Sequence, residues 1–452
     1  MILDKVLKIY QKYTICIHCL GRMFSLLGTN KTNQQRGDAL LLALTMENHK
    51  IFLSEDSEPR QQALFNLKLL AEQADYLPAQ KILKKEGLSY NVREFKTECY
   101  LCHDIFDNIE KFLEDIKLKI EAIEFDSFLI GSSPNSHIIN IEDKFKSEFN
   151  ILEAESFKSH FNREVGKILM ASLNKTPKFN NPDLLIIITF DFDKFEIDVV
   201  IRSLFVYGRY NKFIRGVPQT HWLCGKCKGK GCESCNFSGK QYNMSIEEFI
   251  SPEFIEASKA TDSKFHGAGR EDIDVRMLGT GRPFIIELKN PKIRAIDLHK
   301  IEKRVNKISK KKVKIHDLKF SNKKEVIWLK SDAENTKKSY RALVESVSKI
   351  SRQTFKEKLE ELSNIFENRE IFQKTPIRVS HRRANKTRHK SVYKIKGTFL
   401  KPNSFEFIID TQGGTYIKEL ITGDNGRTSP SFSEIFNMPL ICKELDVLEI
   451  SL

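Results

Sequence analysis

The sequence predicts an α+β protein in two lobes, and three observations lead there. Segments with apolar residues at i, i+3, i+4 and i+7, the helical period, recur over the first 175 or so residues. β-Branched runs of strand length follow them, LLIIITF at 184–190 being the longest apolar one. A block of four cysteines at 224–235 then separates this first region from a second run of strands and helices.

Taken in order, MILDKVLKIYQKY at the N-terminus, 60–75, 104–122 and 151–173 have the helical period. Strands are expected at 184–190 and 196–206, joined as a hairpin through DFDKFE. These elements make an α/β region ending near residue 210. After the cysteine block, strands are expected near 273–279 and 283–289, the first ending in the turn Gly279-Thr280-Gly281. A Lys-rich stretch at 302–324 reads either as a solvated loop or as a phosphate-contacting arm. Further strands are expected near 325–330, 390–399 and 404–410, and helices at 340–350, 352–367, 416–421 and 430–436. The second half is therefore α+β with a mixed or antiparallel sheet.

Composition narrows the function. The 452 residues are 40% hydrophobic, enough for real cores and too much for a disordered chain. The formal net charge of +14 points to a polyanionic partner, since basic groups near phosphates release condensed counterions. No apolar run approaches the ~18 residues of a membrane span. The N-terminus lacks the apolar core of a signal peptide, so a cytoplasmic location with reduced thiols is expected.

The cysteines form pairs. Cys224, Cys227, Cys232 and Cys235 have the spacing C-x2-C-x4-C-x2-C, which brings four thiolates to one tetrahedral zinc ion. With no open ligand position the site is structural and holds a hairpin, about 221–242, too small to fold alone. Cys16 with Cys19, and Cys99 with Cys102, are two further C-x2-C pairs. Neither fills a site alone; together they are expected to make a second zinc site that ties the N-terminal helix to a distant segment, the alternative being two unrelated pairs of buried thiols. Cys442 stands alone in an apolar strand and reads as core.

Chemistry is concentrated at FHGAGREDIDVRMLG, 265–279. Asp272 sits there on a glycine turn with Arg270 and Arg276 on either side, a place to present a carboxylate nucleophile. By itself the segment reads more readily as a surface ion-pair network. FEFIIDTQGGTYIKEL at 405–420 reads as strand, glycine turn and helix, with Tyr416 at the helix start and Lys418 two residues on. A tyrosine there can stack on a base, and a lysine can pair with an aspartate.

Together these segments resemble the pseudouridine synthases. GAGREDIDVRMLG is similar to the catalytic-aspartate motif, GGTYIKEL to the later GTYIR-type motif of the TruB branch, and TKKSYRALVE at 336–345 to the intermediate tyrosine motif. With FVYGRYNKFIRGVPQTHW, QKTPIRVSHRRANKTRHKSVY and GDNGRTSPSF, the set resembles the archaeal-type tRNA pseudouridine synthases of the tenth Pus class, which carry an N-terminal THUMP-containing domain. The motifs span 205–432.

The resemblance implies a THUMP-like part at about 45–205 within an RNA-binding module (1–210), and a pseudouridine-synthase domain at 211–452. It implies tRNA as partner, uridines 54 and 55 of the T-arm as targets, and neither membrane nor obligate protein partner. Asp272 matches the catalytic aspartate, and Tyr340 and Tyr416 match the tyrosines that contact the flipped uridine. Lys418 stands where TruB relatives carry the arginine that partners the aspartate, and Arg270 adjoins the motif. Arg209, Lys212 and Arg215, with Arg382, Arg383 and Arg388, are expected to contact RNA phosphates. Structural zinc is the only cofactor expected; the glycine runs make no nucleotide-binding loop. A zinc-containing tRNA-binding protein without catalysis, or another THUMP-type RNA-modifying enzyme, is the alternative.

Overall fold

The computed structural model describes residues 1–54, 57–91, 97–191, 194–331, 336–368, 370–382 and 384–451. They form two compact units, Met1–Arg202 and Ser203–Leu452. The strand Leu204–Lys212 belongs wholly to the second unit, so a boundary at 210 would cut it.

In the first unit, the helix Ile2–Lys12 buries Val6, Ile9 and Tyr10. The helices Ile17–Met23 and Asn33–Phe52 cross at two glycines. A Cβ on Gly21 would lie 1.7 Å from the Asn33 carbonyl oxygen, and one on Gly37 2.1 Å from that of Ile17, so no larger residue fits either position. The expected helix 104–122 is shorter, Lys111–Ile120, with turns before it. The 151–173 helix starts at Phe157, where Ser156 accepts a hydrogen bond from the Ser159 amide and caps the end. This helix packs on a four-stranded sheet ordered Thr176–Pro177, Ser127–Pro134, Leu184–Phe190, Phe195–Ile201. The last two strands are the expected antiparallel hairpin, though its second strand ends at Ile201, not 206.

The second unit centres on an eight-stranded mixed sheet. Its main path runs Val392–Lys401, Ser404–Gln412, Lys337–Ser346, Leu440–Ser451, Arg276–Lys289, Leu204–Lys212, Val313–Ser321, and Asp262–Gly267 also pairs with Arg276–Lys289. Three strands, Thr387–Lys390, Ile371–Lys374 and Thr428–Ser429, make a separate small sheet.

Four local expectations change here. Residues 337–346 form a strand and not a helix, because Lys338, Tyr340, Ala342 and Val344 alternate inward with period two. Residues 323–331 form a helix and not a strand, burying Val326 and Leu329 at i, i+3. The Lys-rich stretch is neither loop nor free arm. It holds the helix Leu298–Ile308, buried through Ile301 and Val305, and an edge strand from Val313 to Ser321, with most of its lysines outward. The expected turn at Gly279-Thr280-Gly281 lies inside one continuous strand, Arg276–Lys289. Both glycines have positive φ, and a Cβ on Gly279 would sit 1.9 Å from the Leu448 carbonyl oxygen.

Candidate active site

The segment 268–275 leaves the strand Asp262–Gly267 and is fixed from below by buried polar groups. Glu271, 6% exposed, accepts the Tyr210 hydroxyl at 2.8 Å, and the Arg282 Nε lies 2.8 Å from its carboxylate. Arg282 also donates to the Ala268 carbonyl at 2.6 Å, and Gln219 donates to that of Gly269 at 3.0 Å. Lys212 is fully buried, and its Nζ donates to the carbonyls of Val217, Asp272 and Ile273 at 2.9, 3.3 and 3.1 Å. Each of these buried donors is expensive to strand, so together they fix the loop backbone and the direction of Asp272. Burial lowers the Lys212 pKa, partly countered by the Glu271 charge.

Asp272 itself is 28% exposed. Its carboxylate meets the Arg378 Nη1 at 2.8 Å. Arg378 is held in turn by Glu419, which accepts from its Nε at 2.6 Å and is 5% exposed. Lys418 stands 3.9 Å from Asp272 but grips Asp274 at 2.6 and 2.8 Å. Burial favours the neutral Asp274 carboxyl, yet the Lys418 ammonium outweighs it and the net pKa shift is downward. The immediate basic partner of Asp272 is therefore Arg378, from QKTPIRVSHRR, and Lys418 is a more distant one.

The loop opens on a cleft of about 830 Å3. Its lining includes Asp272, Tyr340, Arg378, Tyr416 and Lys418, with Lys338, Arg388 and Lys390. Tyr340 is 8% exposed, and burial raises its pKa to about 12. The main chain of Tyr416 is clamped by Gln373, which accepts from its amide at 2.9 Å and donates to its carbonyl at 3.0 Å. The Arg388 guanidinium lies 5.5 Å from the Tyr416 ring centroid, and that of Arg270 4.8 Å from Trp222 at the cleft wall. Seven cationic side chains (Arg270, Arg282, Lys338, Arg378, Arg388, Lys390, Lys418) face three acidic ones (Glu271, Asp272, Asp274), so the cleft attracts anions.

The family model described as "Pus10, C-terminal" matches residues 205–451, more than half of the chain and all of this cleft. A second, "Pus10 THUMP domain, archaeal", matches residues 112–189. The tRNA pseudouridine synthase Pus10 of Methanocaldococcus jannaschii is 44% identical over 98% of this chain and 93% of its own length. Proteins of the same name from Methanothermobacter marburgensis and Thermofilum pendens are each 37% identical over 99% of this chain, covering 98% and 95% of their own lengths. This chain belongs to the Pus10 family.

In this Pus10 chain the basic residues expected at RNA phosphates have different surroundings. Lys212 is buried beneath the loop, so no phosphate can reach it. Arg209 donates to the carbonyls of Thr280, Gly281 and Ile450. Arg215 pairs with Glu444 and the buried Asp446, each at 2.8 Å, and donates to two carbonyls. Arg209 and Arg215 staple the strands beside the cleft, and Lys212 the loop. Arg388 lines the cleft. Arg383 and the side chain of Arg382 lie outside the described residues.

Both cysteine sets come together. Cys16, Cys19, Cys99 and Cys102 form one cluster, and Cys224, Cys227, Cys232 and Cys235 the other, each with all sulfurs within 4.8 Å of one another. Individual Sγ···Sγ distances include 3.6 Å for Cys16–Cys102 and 3.9, 3.8 and 3.7 Å in the second set. A tetrahedron with ~2.3 Å zinc–sulfur bonds has edges of about 3.8 Å, so both sets fit zinc. Buried Arg22 donates to the Cys19 sulfur at 3.6 Å and pairs with Glu142, a second layer around the first cluster.

Sequence reasoning missed Arg378, Glu419, Glu271 and Arg282. Arg378 and Glu419 lie inside the motifs quoted above, but a pairing between distant segments leaves no local spacing to read. Glu271 beside Asp272 carries one signal: two adjacent carboxylates on one loop cannot both face the same way. No helix among the described residues is long and apolar enough to cross a membrane.

Proposed function

We propose that this chain is a tRNA pseudouridine synthase that isomerises uridine in the T-arm, at position 54, position 55 or both, with Asp272 as nucleophile. The observation that carries this reading is the carboxylate of Asp272, paired with Arg378 in a cationic cleft that Tyr340 and Tyr416 also line. Membership of the family makes the chain an isomerase, and the names of its relatives supply tRNA as substrate class.

Uridine must leave its stack to reach a recessed carboxylate, at a cost of a few kcal/mol that backbone contacts offset. Tyr416 offers a ring face on a main chain already fixed by Gln373, and Tyr340 closes the floor. Asp272 then attacks, at the base or at the ribose C1′. The C1′–N1 bond breaks, the uracil turns, and a C1′–C5 bond forms; C5 loses a hydrogen and N1 gains one, so product and substrate are isomers. Arg378 holds the carboxylate in line throughout, and Glu419 holds Arg378 in place. Zinc at the two four-cysteine clusters supplies fold rigidity, not chemistry. A cytoplasmic enzyme without membrane or obligate protein partner is the setting this reading implies.

The test is tritium release from C5-labelled uracil in an unmodified tRNA transcript, comparing wild type with Asp272→Ala. Release by wild type alone is expected. Release by the variant would remove Asp272 from its role, and release by neither, with tRNA bound, would remove the activity.

A further inference from the structure

Lysine is rarely buried without an acceptor, because an unpaired ammonium loses its hydration for nothing. Two lysines of the cleft have buried stems, and their ammonium groups open on the cleft with no protein acceptor among the described residues. Lys338 is 7% exposed and Lys390 4%. Among the described residues, neither ammonium makes a hydrogen bond or an ion pair, yet both side chains line the cleft. They arrive from different sheets: Lys338 from the strand Lys337–Ser346 and Lys390 from Thr387–Lys390. Lys338 shares a strand face with Tyr340, two residues on, so it extends the floor that Tyr340 begins. Its Nζ would lie 3.6 Å from a Cβ on Gly269, and that of Lys390 3.5 Å from one on Gly414. The two glycines stand near Asp272 and Tyr416 in sequence, so the lysines flank the same reacting centre. A cation in such a place waits for a ligand that brings its own electron-rich oxygens.

We propose that Lys338 and Lys390 are catalytic residues of this cleft, a pair of donors that hold the uracil by its carbonyl oxygens while it is detached from the ribose. The proposal rests on the reading given above. When C1′–N1 breaks, the electron pair stays with the base, and the charge spreads onto O2 and O4. Turning the ring by half a revolution about its N3–C6 axis exchanges N1 with C5 and O2 with O4. A donor placed for one carbonyl oxygen therefore finds the other at the same point after the turn. The same pair can serve departure and return, and keeps the free base from leaving. The base is the deepest part of a flipped nucleotide, which favours its carbonyls over a backbone phosphate as the ligand of groups buried this far.

The experiment uses the full chain and single-turnover kinetics on an unmodified tRNA transcript. Wild-type turnover is the control; without it the functional reading fails, whatever the lysines do. Lys338→Met and Lys390→Met are each expected to slow the single-turnover rate about 100-fold, the loss usual for one oxyanion donor, with tRNA Kd within about twofold. Zinc content and circular dichroism check that each variant folds, and the two variants draw on different sheets. A transcript with 4-thiouridine or 2-thiouridine at the modified position supplies the second arm. Sulfur accepts weakly, so it should slow wild type but add little to the loss in the variants. Losses below about threefold in rate would overturn the proposal. So would losses confined to Kd with a shallower salt dependence, which would assign the pair to a phosphate, or thio effects that simply multiply the variant effects.

Discussion

Arg378 contacts Asp272 with one nitrogen while Glu419 holds another from the opposite side, so a single guanidinium bridges two carboxylates that must not meet. The fork geometry of arginine makes this possible; a lysine ammonium is a point charge that would favour one partner. Arg378→Lys is therefore expected to cost about 100-fold in kcat with little change in tRNA affinity. Lys418→Met, whose main contact is Asp274, should cost less than about tenfold. Steady-state kinetics of the pair decides the order; a larger loss for Lys418 would return the partner role to it.

Lys212 gives a second contrast. Its sequence context suggests a phosphate contact, but its ammonium donates to three carbonyls under the loop. Lys212→Met should lower stability by about 1–3 kcal/mol, since buried carbonyls lose their donor, and should slow turnover by releasing Asp272. The slope of log affinity for tRNA against log salt should not change. A shallower slope would mean that Lys212 reaches RNA after all.

Metal content tests the N-terminal cluster. Full-length protein should bind one zinc at each of the two clusters, and replacing Cys16 and Cys99 by Ser should leave one ion per chain by atomic emission. Loss of the first ion should also reduce thermal stability, because the four thiols tie the turn before Ile17–Met23 to the segment at 99–102. Unchanged metal content would refute the shared site.

Lys338 carries a stability cost that pH exposes. Burial and the nearby Arg282 charge lower its pKa to about 7, with Glu271 acting the other way and Lys390 adding to the fall. Its strand neighbours Thr411 and Ile450 do not titrate. Between about pH 7 and the ordinary lysine value the unfolded chain binds more protons than the folded one, so stability rises with pH across that window. Below it the cost is fully present. Lys338→Met should thus be more stable than wild type at pH 6, each tenfold loss of proton affinity being worth about 1.4 kcal/mol, with the gap narrowing by pH 9. Equal melting temperatures at pH 6 would contradict this.

Much of the site is legible in the sequence because its residues sit in short segments with constrained roles. Asp272, Tyr340, Tyr416 and both cysteine sets need only local spacing and motif. Strand Lys337–Ser346 reads wrongly as a helix because Tyr, Arg, Ala and Leu suit either period, and the sheet around it chooses the strand. The protein partners of two arginines are illegible for a common reason. Arg209 and Arg215 are basic in composition but serve carbonyls and Asp446, and no sequence pattern distinguishes a strand staple from a phosphate contact.

The strand Leu440–Ser451 lies in the middle of the large sheet, between Lys337–Ser346 and Arg276–Lys289, although every other strand of that sheet precedes it in the chain. Without it the two halves of the sheet are left with a gap between them. Asp272 is on one side of that gap and Tyr340 on the other, so the strand that fills it is what sets the two in register. Any truncation that removes the closing strand should abolish activity even though every residue of the cleft outside that strand is still present.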